Sequence, residues 1–131
     1  MRGLSVSVGV VCGLGLVTAA WAGLFQNPEQ EAFARFQQGD FASAADGFAD
    51  PYRRGVALYR AGLFQEAARA FEGAGEAQDA RYNLGNTRFQ LGDYAGAAVA
   101  FEQVLAADPA HDDAAHNLAL ARAMLARIEQ A

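Results

Sequence analysis

The pattern Gly-x-aromatic-x-x-Ala-x-x-x-Phe occurs three times in this chain, and that recurrence limits its fold more than any other feature. The copies begin at Gly39-Asp40-Phe41, Gly62-Leu63-Phe64 and Gly92-Asp93-Tyr94. Each aromatic is followed three residues on by alanine (Ala44, Ala67, Ala97) and, four residues later, by phenylalanine (Phe48, Phe71, Phe101). A glycine ends a helix by adopting positive φ. The residue after it opens the next helix, where Asp93 is placed to accept a backbone N–H bond as a cap. Alanine and phenylalanine four apart fall on one helix face. Such a unit is a helical hairpin that cannot bury its apolar side alone, so copies in series predict an all-α solenoid of stacked hairpins. No strand is predicted.

The third copy is the most complete, and Tyr82 to Pro109 reads YNLGNTRFQLGDYAGAAVAFEQVLAADP. Glycine inside a helix costs about 1 kcal/mol relative to alanine. Gly85 therefore predicts a close approach by the second helix, with Ala97 as the small residue that permits it. Leu84 and Phe101 supply apolar bulk, and Pro109 stops the second helix near Ala107. These positions resemble the tetratricopeptide repeat, a helix–turn–helix unit. Leu84, Gly85, Ala97, Phe101 and Pro109 fit its signature, whereas Arg81, Arg88 and Val104 stand where tryptophan, tyrosine and alanine are usual.

The copies are unevenly spaced: Gly39 to Gly62 is 23 residues and Gly62 to Gly92 is 30. The second helix of the first copy must end at Asp50-Pro51, with Asp50 capping the next helix and Pro51 in its first turn. The second copy is short by about one turn near Gly73-Ala74-Gly75. Beyond Pro109 a single helix is expected from Asp112 to about Gln130, with Asn117 and Leu118 lying 34 residues after Asn83 and Leu84. It reads as a capping helix, with Leu118, Ala121, Leu125 and Ile128 as its apolar stripe and Arg122, Arg127, Glu129 and Gln130 as its polar face. A free amphipathic tail is the alternative. The domain expected is thus residues 27–131, about three hairpins plus the capping helix.

Residues 1–22 differ in kind. Arg2 is their only charge, Leu4 to Ala20 is largely apolar, and Ala20-Trp21-Ala22 has the small-x-small form of a signal peptidase site. The segment is expected to be a cleaved signal peptide or a membrane anchor. Either places the helical domain across the membrane from Arg2. Cys12, the only cysteine, lies in this segment, so no intramolecular disulfide can form.

The formal charge is −5, and loss of Arg2 with the leader makes it −6 (−5 − 1). An acidic chain argues against nucleic-acid binding. Nothing in the pattern suggests an enzyme. His111 and His116 are five apart rather than the four that would place both on one helical face, and Asp112 and Asp113 between them suit a helix N-terminus. Ser43 has no histidine near it in sequence. No catalytic, cofactor or metal-binding residue is assigned.

The repeat resemblance implies a binding surface. The first helix of each unit lines the inner face of such an array, and with Gly85 as position eight, positions five, nine, twelve and thirteen face the groove. These are Tyr82, Asn86, Phe89 and Gln90 in the third unit and Tyr52, Val56, Tyr59 and Arg60 in the second. In the capping helix position five is His116. Aromatics and arginine are the types that most often carry interface energy. The competing reading is that the tyrosines pack between hairpins, and Asn83 and Asn117 are expected to make contacts between units.

A narrower resemblance lies in Asn27-Pro28-Glu29-Gln30, Gly39-Asp40, Phe48-Ala49-Asp50-Pro51, the run from Arg54 to Gly62, and Tyr82-Asn83-Leu84-Gly85-Asn86. This region, about residues 27 to 120, resembles the tetratricopeptide region of the Bat (aerotolerance) proteins, which often follows a von Willebrand factor A domain and a membrane segment. The chain has no von Willebrand factor A domain, so no metal role carries over. The resemblance implies a periplasmic adaptor or scaffold on the inner membrane, acting with von Willebrand factor A proteins and a MoxR-type ATPase. The alternative is an envelope chaperone or maturation accessory, as in methanol-oxidation clusters.

Overall fold

The computed structural model describes residues 27–131; the expected leader, residues 1–22, lies outside the described residues. Seven helices follow one another: α1 (Pro28–Gln37), α2 (Phe41–Gly47), α3 (Pro51–Arg60), α4 (Phe64–Gly73), α5 (Gln78–Gln90), α6 (Tyr94–Ala107) and α7 (Asp112–Glu129). No strand occurs among the described residues.

The repeated glycine turn is one structure built three times. Gly39, Gly62 and Gly92 have φ of 83°, 76° and 78°. After each, the next residue's N–H donates back to a carbonyl five residues earlier: Asp40 to Arg35 at 3.0 Å, Leu63 to Leu58 at 2.9 Å and Asp93 to Arg88 at 2.9 Å. The glycine N–H groups donate to Phe36, Tyr59 and Phe89. This pair of bonds satisfies the carbonyls that a helix end would otherwise leave open, and it reverses the chain within three residues.

Helix starts follow local chemistry. Asn27 and Gln30 form a reciprocal capping box on α1. Asp50 caps α3 ahead of Pro51, and Asp93 caps α6 through Gly96 N–H at 2.9 Å. His111, rather than an aspartate, caps α7: its Nδ1 accepts from Ala114 N–H at 3.1 Å. Asp112 and Asp113 occupy the first turn, where negative charge is favourable. The expected stops also appear, α6 at Ala107 ahead of Pro109 and α4 at Gly73.

Within each hairpin the helices pack as α1 on α2, α3 on α4 and α5 on α6, and the hairpins join through α2 on α3, α4 on α5 and α6 on α7. Each level has its own core. Phe48 lies among Ala32, Ala44, Ala45 and Ala57; Phe71 lies with Ala67 and Leu84; Phe101 lies with Ala97, Val104, Ala114, Leu118 and Ala121. One buried phenylalanine per level amid alanines lets the helices approach closely.

Two expectations need correction. What comes closest to Gly85 is the Phe101 ring of the second helix, not that helix's backbone: a Cβ on Gly85 would stand 2.6 Å from that ring, and one on Gly55 would stand 2.7 Å from Phe71. In the capping helix, Ile128 is 59 % exposed, in the last turn of an eighteen-residue helix that packs on the fourteen-residue α6. Ala114, near the start of α7, is buried with Leu118 and Ala121 instead. Arg88, at the position usual for tyrosine, reaches Glu72 of α4 at 3.0 Å and the Gly96 carbonyl at 3.3 Å.

Candidate functional site

The first helices α3, α5 and α7 lie side by side and a ladder of side-chain bonds links them. Asn83 Nδ2 donates to the Tyr52 hydroxyl at 3.2 Å, and Asn117 Nδ2 donates to the Tyr82 hydroxyl at 3.2 Å. The same asparagine–tyrosine pair thus recurs one unit on. Each tyrosine ring leans on its own unit's phenylalanine, Tyr52 on Phe71 with centroids 6.0 Å apart and Tyr82 on Phe101 at 5.9 Å. Tyr82 also stacks on His111 at 5.0 Å. These two tyrosines therefore fasten adjacent units, and Asn83 and Asn117 make the inter-unit contacts expected of them.

The first-helix face carries two clefts. The central one, about 210 Å³, is lined by Tyr59 from α3, Asn86, Phe89 and Gln90 from α5, Phe101 from α6, and Asn117 and Leu120 from α7. Two edge-to-face pairs hold its aromatic walls, Tyr59 on Phe64 at 5.3 Å and Phe89 on Tyr94 at 5.0 Å. A second cleft of about 330 Å³ opens between α1 and α3, lined by Phe33, Phe36, Phe48, Tyr52, Arg53 and Val56. Tyr52, Val56 and Tyr59 follow helical spacing along α3, so one stripe contributes to both clefts. Neither lining contains an acidic residue, although the chain as a whole is acidic.

Of the residues expected to form a groove, Tyr59, Asn86, Phe89 and Gln90 come together in the central cleft, and Tyr52 and Val56 line the second. Arg60 lies over the rings of Phe36 at 5.1 Å and Phe41 at 5.8 Å, a cation–π arrangement tying α3 to the first hairpin. His116 is exposed and lines neither cleft. Phe33, Phe36 and Leu120 were missed by the sequence reading. The signal was present, since Ala32 precedes Gly39 by seven residues as Gly55 precedes Gly62 and Gly85 precedes Gly92, which gives Phe33 and Phe36 positions nine and twelve. Leu120 lies 34 residues after Asn86. Phe33 is 55 % exposed and Leu120 46 %, so both offer apolar surface to a ligand.

Catalysis requires polar groups converging with a reactive one, and the central cleft offers amides and aromatic rings. Among the described residues no three histidine, cysteine, aspartate or glutamate side chains cluster as metal ligands. Such a surface can hold a chain by apolar contact and amide hydrogen bonds.

The tetratricopeptide repeat family model matches residues 78–111, from the start of α5 to the cap of α7. No curated protein matches the chain in sequence. Among solved structures, the chain is similar to the first tetratricopeptide domain of Spaghetti (RPAP3), bound to the HSP90 peptide SRMEEVD. The TM-score is 0.68 at 23 % identity, over 76 % of this chain and 90 % of that one. It is also similar to the Sgt2 tetratricopeptide domain from Aspergillus fumigatus, with a TM-score of 0.67 at 22 % identity, over 79 % of this chain and 80 % of that one. The matched repeat and these two likenesses give the described residues the fold of a tetratricopeptide-repeat solenoid.

Proposed function

We propose that this chain is a non-enzymatic protein-interaction module whose first-helix face grips a segment of a partner protein. The observation that carries this reading is the pair of clefts served by one stripe of α3 and lined by aromatic, aliphatic and amide groups and Arg53, without an acidic side chain. A structural neighbour that holds a peptide on the same fold supports it. In the fuller proposal the module is an adaptor on the periplasmic side of a bacterial inner membrane, delivered or held there by residues 1–22. Its partners are von Willebrand factor A proteins of the Bat type, working with a MoxR-type ATPase. The support for that setting is the sequence resemblance of residues 27 to 120 and the apolar leader.

The test is site-specific photo-crosslinking of the full chain in cells. A crosslinker replaces Val56 or Phe89 on the first-helix face, or Val99, which is half exposed on α6. Partner capture from positions 56 and 89 but not 99 is expected, and mass spectrometry should find a von Willebrand factor A protein in stoichiometric yield. Capture only from Val99 would remove the assigned face. A broad mixture of partners from the inner positions would favour the chaperone alternative.

A further inference from the structure

The side opposite the first-helix face carries a cleft of a different kind. It measures about 400 Å³ and is bounded by α2, α3 and α4. Arg54 and Leu58 each follow a residue of the inner stripe, Tyr52 and Val56, by two positions, about 200° around α3. The floor of the cleft is apolar, with Leu58 half-buried and Ala70 buried. Its rim is charged: Asp46 of α2, Arg54 of α3, and Glu66 and Arg69 of α4 are all exposed.

Elsewhere the chain neutralises its arginines internally. Among the described residues Arg35, Arg53, Arg81, Arg88 and Arg122 each pair with a glutamate, and Arg60 lies over two rings. Arg54 and Arg69 make neither kind of contact, and Asp46 and Glu66 form no ion pair among the described residues. Two cations and two carboxylates thus share one cleft without meeting.

The chain carries a net charge of −5, yet this patch is balanced in sign. A partner of one sign would bring its charges against two like ones, which is costly. A balanced patch can instead satisfy itself across a two-fold axis, because an isologous contact places one residue on a second and that second on the first. Glu66 and Arg69 are three apart on α4 and so share a face. When two copies of α4 cross antiparallel, Glu66 of each lies opposite Arg69 of the other.

We propose that this cleft is the contact between two copies of the chain, an isologous dimer held by reciprocal Glu66–Arg69 pairs over the apolar floor. Exposed ion pairs each contribute little, so the dimer is weak and sensitive to salt. It turns the two first-helix faces away from the contact, and the pair therefore offers two such faces to a multivalent target. The inference goes beyond the partner reading and does not need it.

Sedimentation equilibrium of the full chain, purified as the cell produces it, tests this. At low salt the mean mass is expected to rise with concentration towards twice the monomer. At about 1 M salt, where screening acts within about 3 Å, it should stay at the monomer. Arg69→Glu and Glu66→Arg fall at exposed positions and should leave circular dichroism unchanged. Each alone sets like charges opposite one another and should weaken self-association by about tenfold or more. Mixed in equal amounts, the two variants restore opposite charges at both contacts and should form a heterodimer, read by co-purification through a tag on one of them. A wild-type chain that stays monomeric at every concentration, association undiminished in both single variants, or a mixture no tighter than its parts would overturn the inference. So would capture of a different protein through these four residues in place of a second copy. None of these results touches the interaction module, which the crosslinks from Val56 and Phe89 test separately.

Discussion

An alanine methyl placed on Gly85 would meet the Phe101 ring at 2.6 Å, and one on Gly55 would meet Phe71 at 2.7 Å. Both rings are buried in the core and cannot swing into solvent. Glycine to alanine inside a helix gains about 1 kcal/mol of propensity, but forcing an extra carbon into a packed core costs about 1–3 kcal/mol. Gly85→Ala and Gly55→Ala should therefore both lower stability in urea denaturation, and an increase in either would show that the ring can shift. The sequence flagged the glycine and the close approach but assigned it to the backbone of the second helix, where the structure has the Phe101 ring. Spacing along a helix gives the face a residue occupies, not how far its side chain reaches across to a neighbour. The same limit applies to the tyrosines. Tyr52 and Tyr59 sit seven apart on one stripe, yet the Tyr52 hydroxyl is bonded by Asn83 while Tyr59 walls a cleft.

Helix ends were the part of the structure most readable in advance, because caps and stops depend on a few consecutive residues. Sequence nevertheless treats Asp40 and Asp93 alike, and the structure separates them. Asp93 accepts from Gly96 N–H, whereas Asp40 makes no side-chain capping bond on the seven-residue α2. Asp93→Ala should cost about 1 kcal/mol and Asp40→Ala should lie within the scatter of surface substitutions, about 0.5 kcal/mol. Equal losses from the two, measured by denaturant midpoint at constant m-value, would contradict the geometry. In α7 the periodicity gave the right helix and most of the right face. It could not show that Ile128 stays exposed, because the length of the neighbouring helix decides where burial ends.

Across the described residues stability is a sum of levels, each with one buried phenylalanine and contacts chiefly to its neighbours. The first level is the weakest by construction. Its second helix has seven residues, against fourteen in α6, and Phe48 lies just beyond the end of α2 in extended backbone. Amide hydrogen exchange should therefore run fastest in α1 and α2 and slowest in α5 and α6, since local opening follows local packing; uniform protection along the chain would refute this ordering. Truncation after Asp108 removes α7 and uncovers Phe101, Val104 and Ala98, which pack against Leu118 and Ala121. The shortened protein should bind a hydrophobic dye and lose its sharp thermal transition. A cooperative, dye-free truncation would mean that α7 is a tail and not a cap.

The sequence by itself determined the helices, their boundaries and their pairing into hairpins, since glycine turns, prolines and capping side chains act over a handful of bonded neighbours. Only the tertiary structure decided which side chains became site and which became mortar. Asn117 meets Tyr82 and Asn86 across 35 and 31 residues of chain, and Phe33, Phe36 and Leu120 join the clefts because whole units stack in a particular register. That register is set by phenylalanine rings filling the space opposite glycines, a matter of volume between helices that no single stretch of residues specifies.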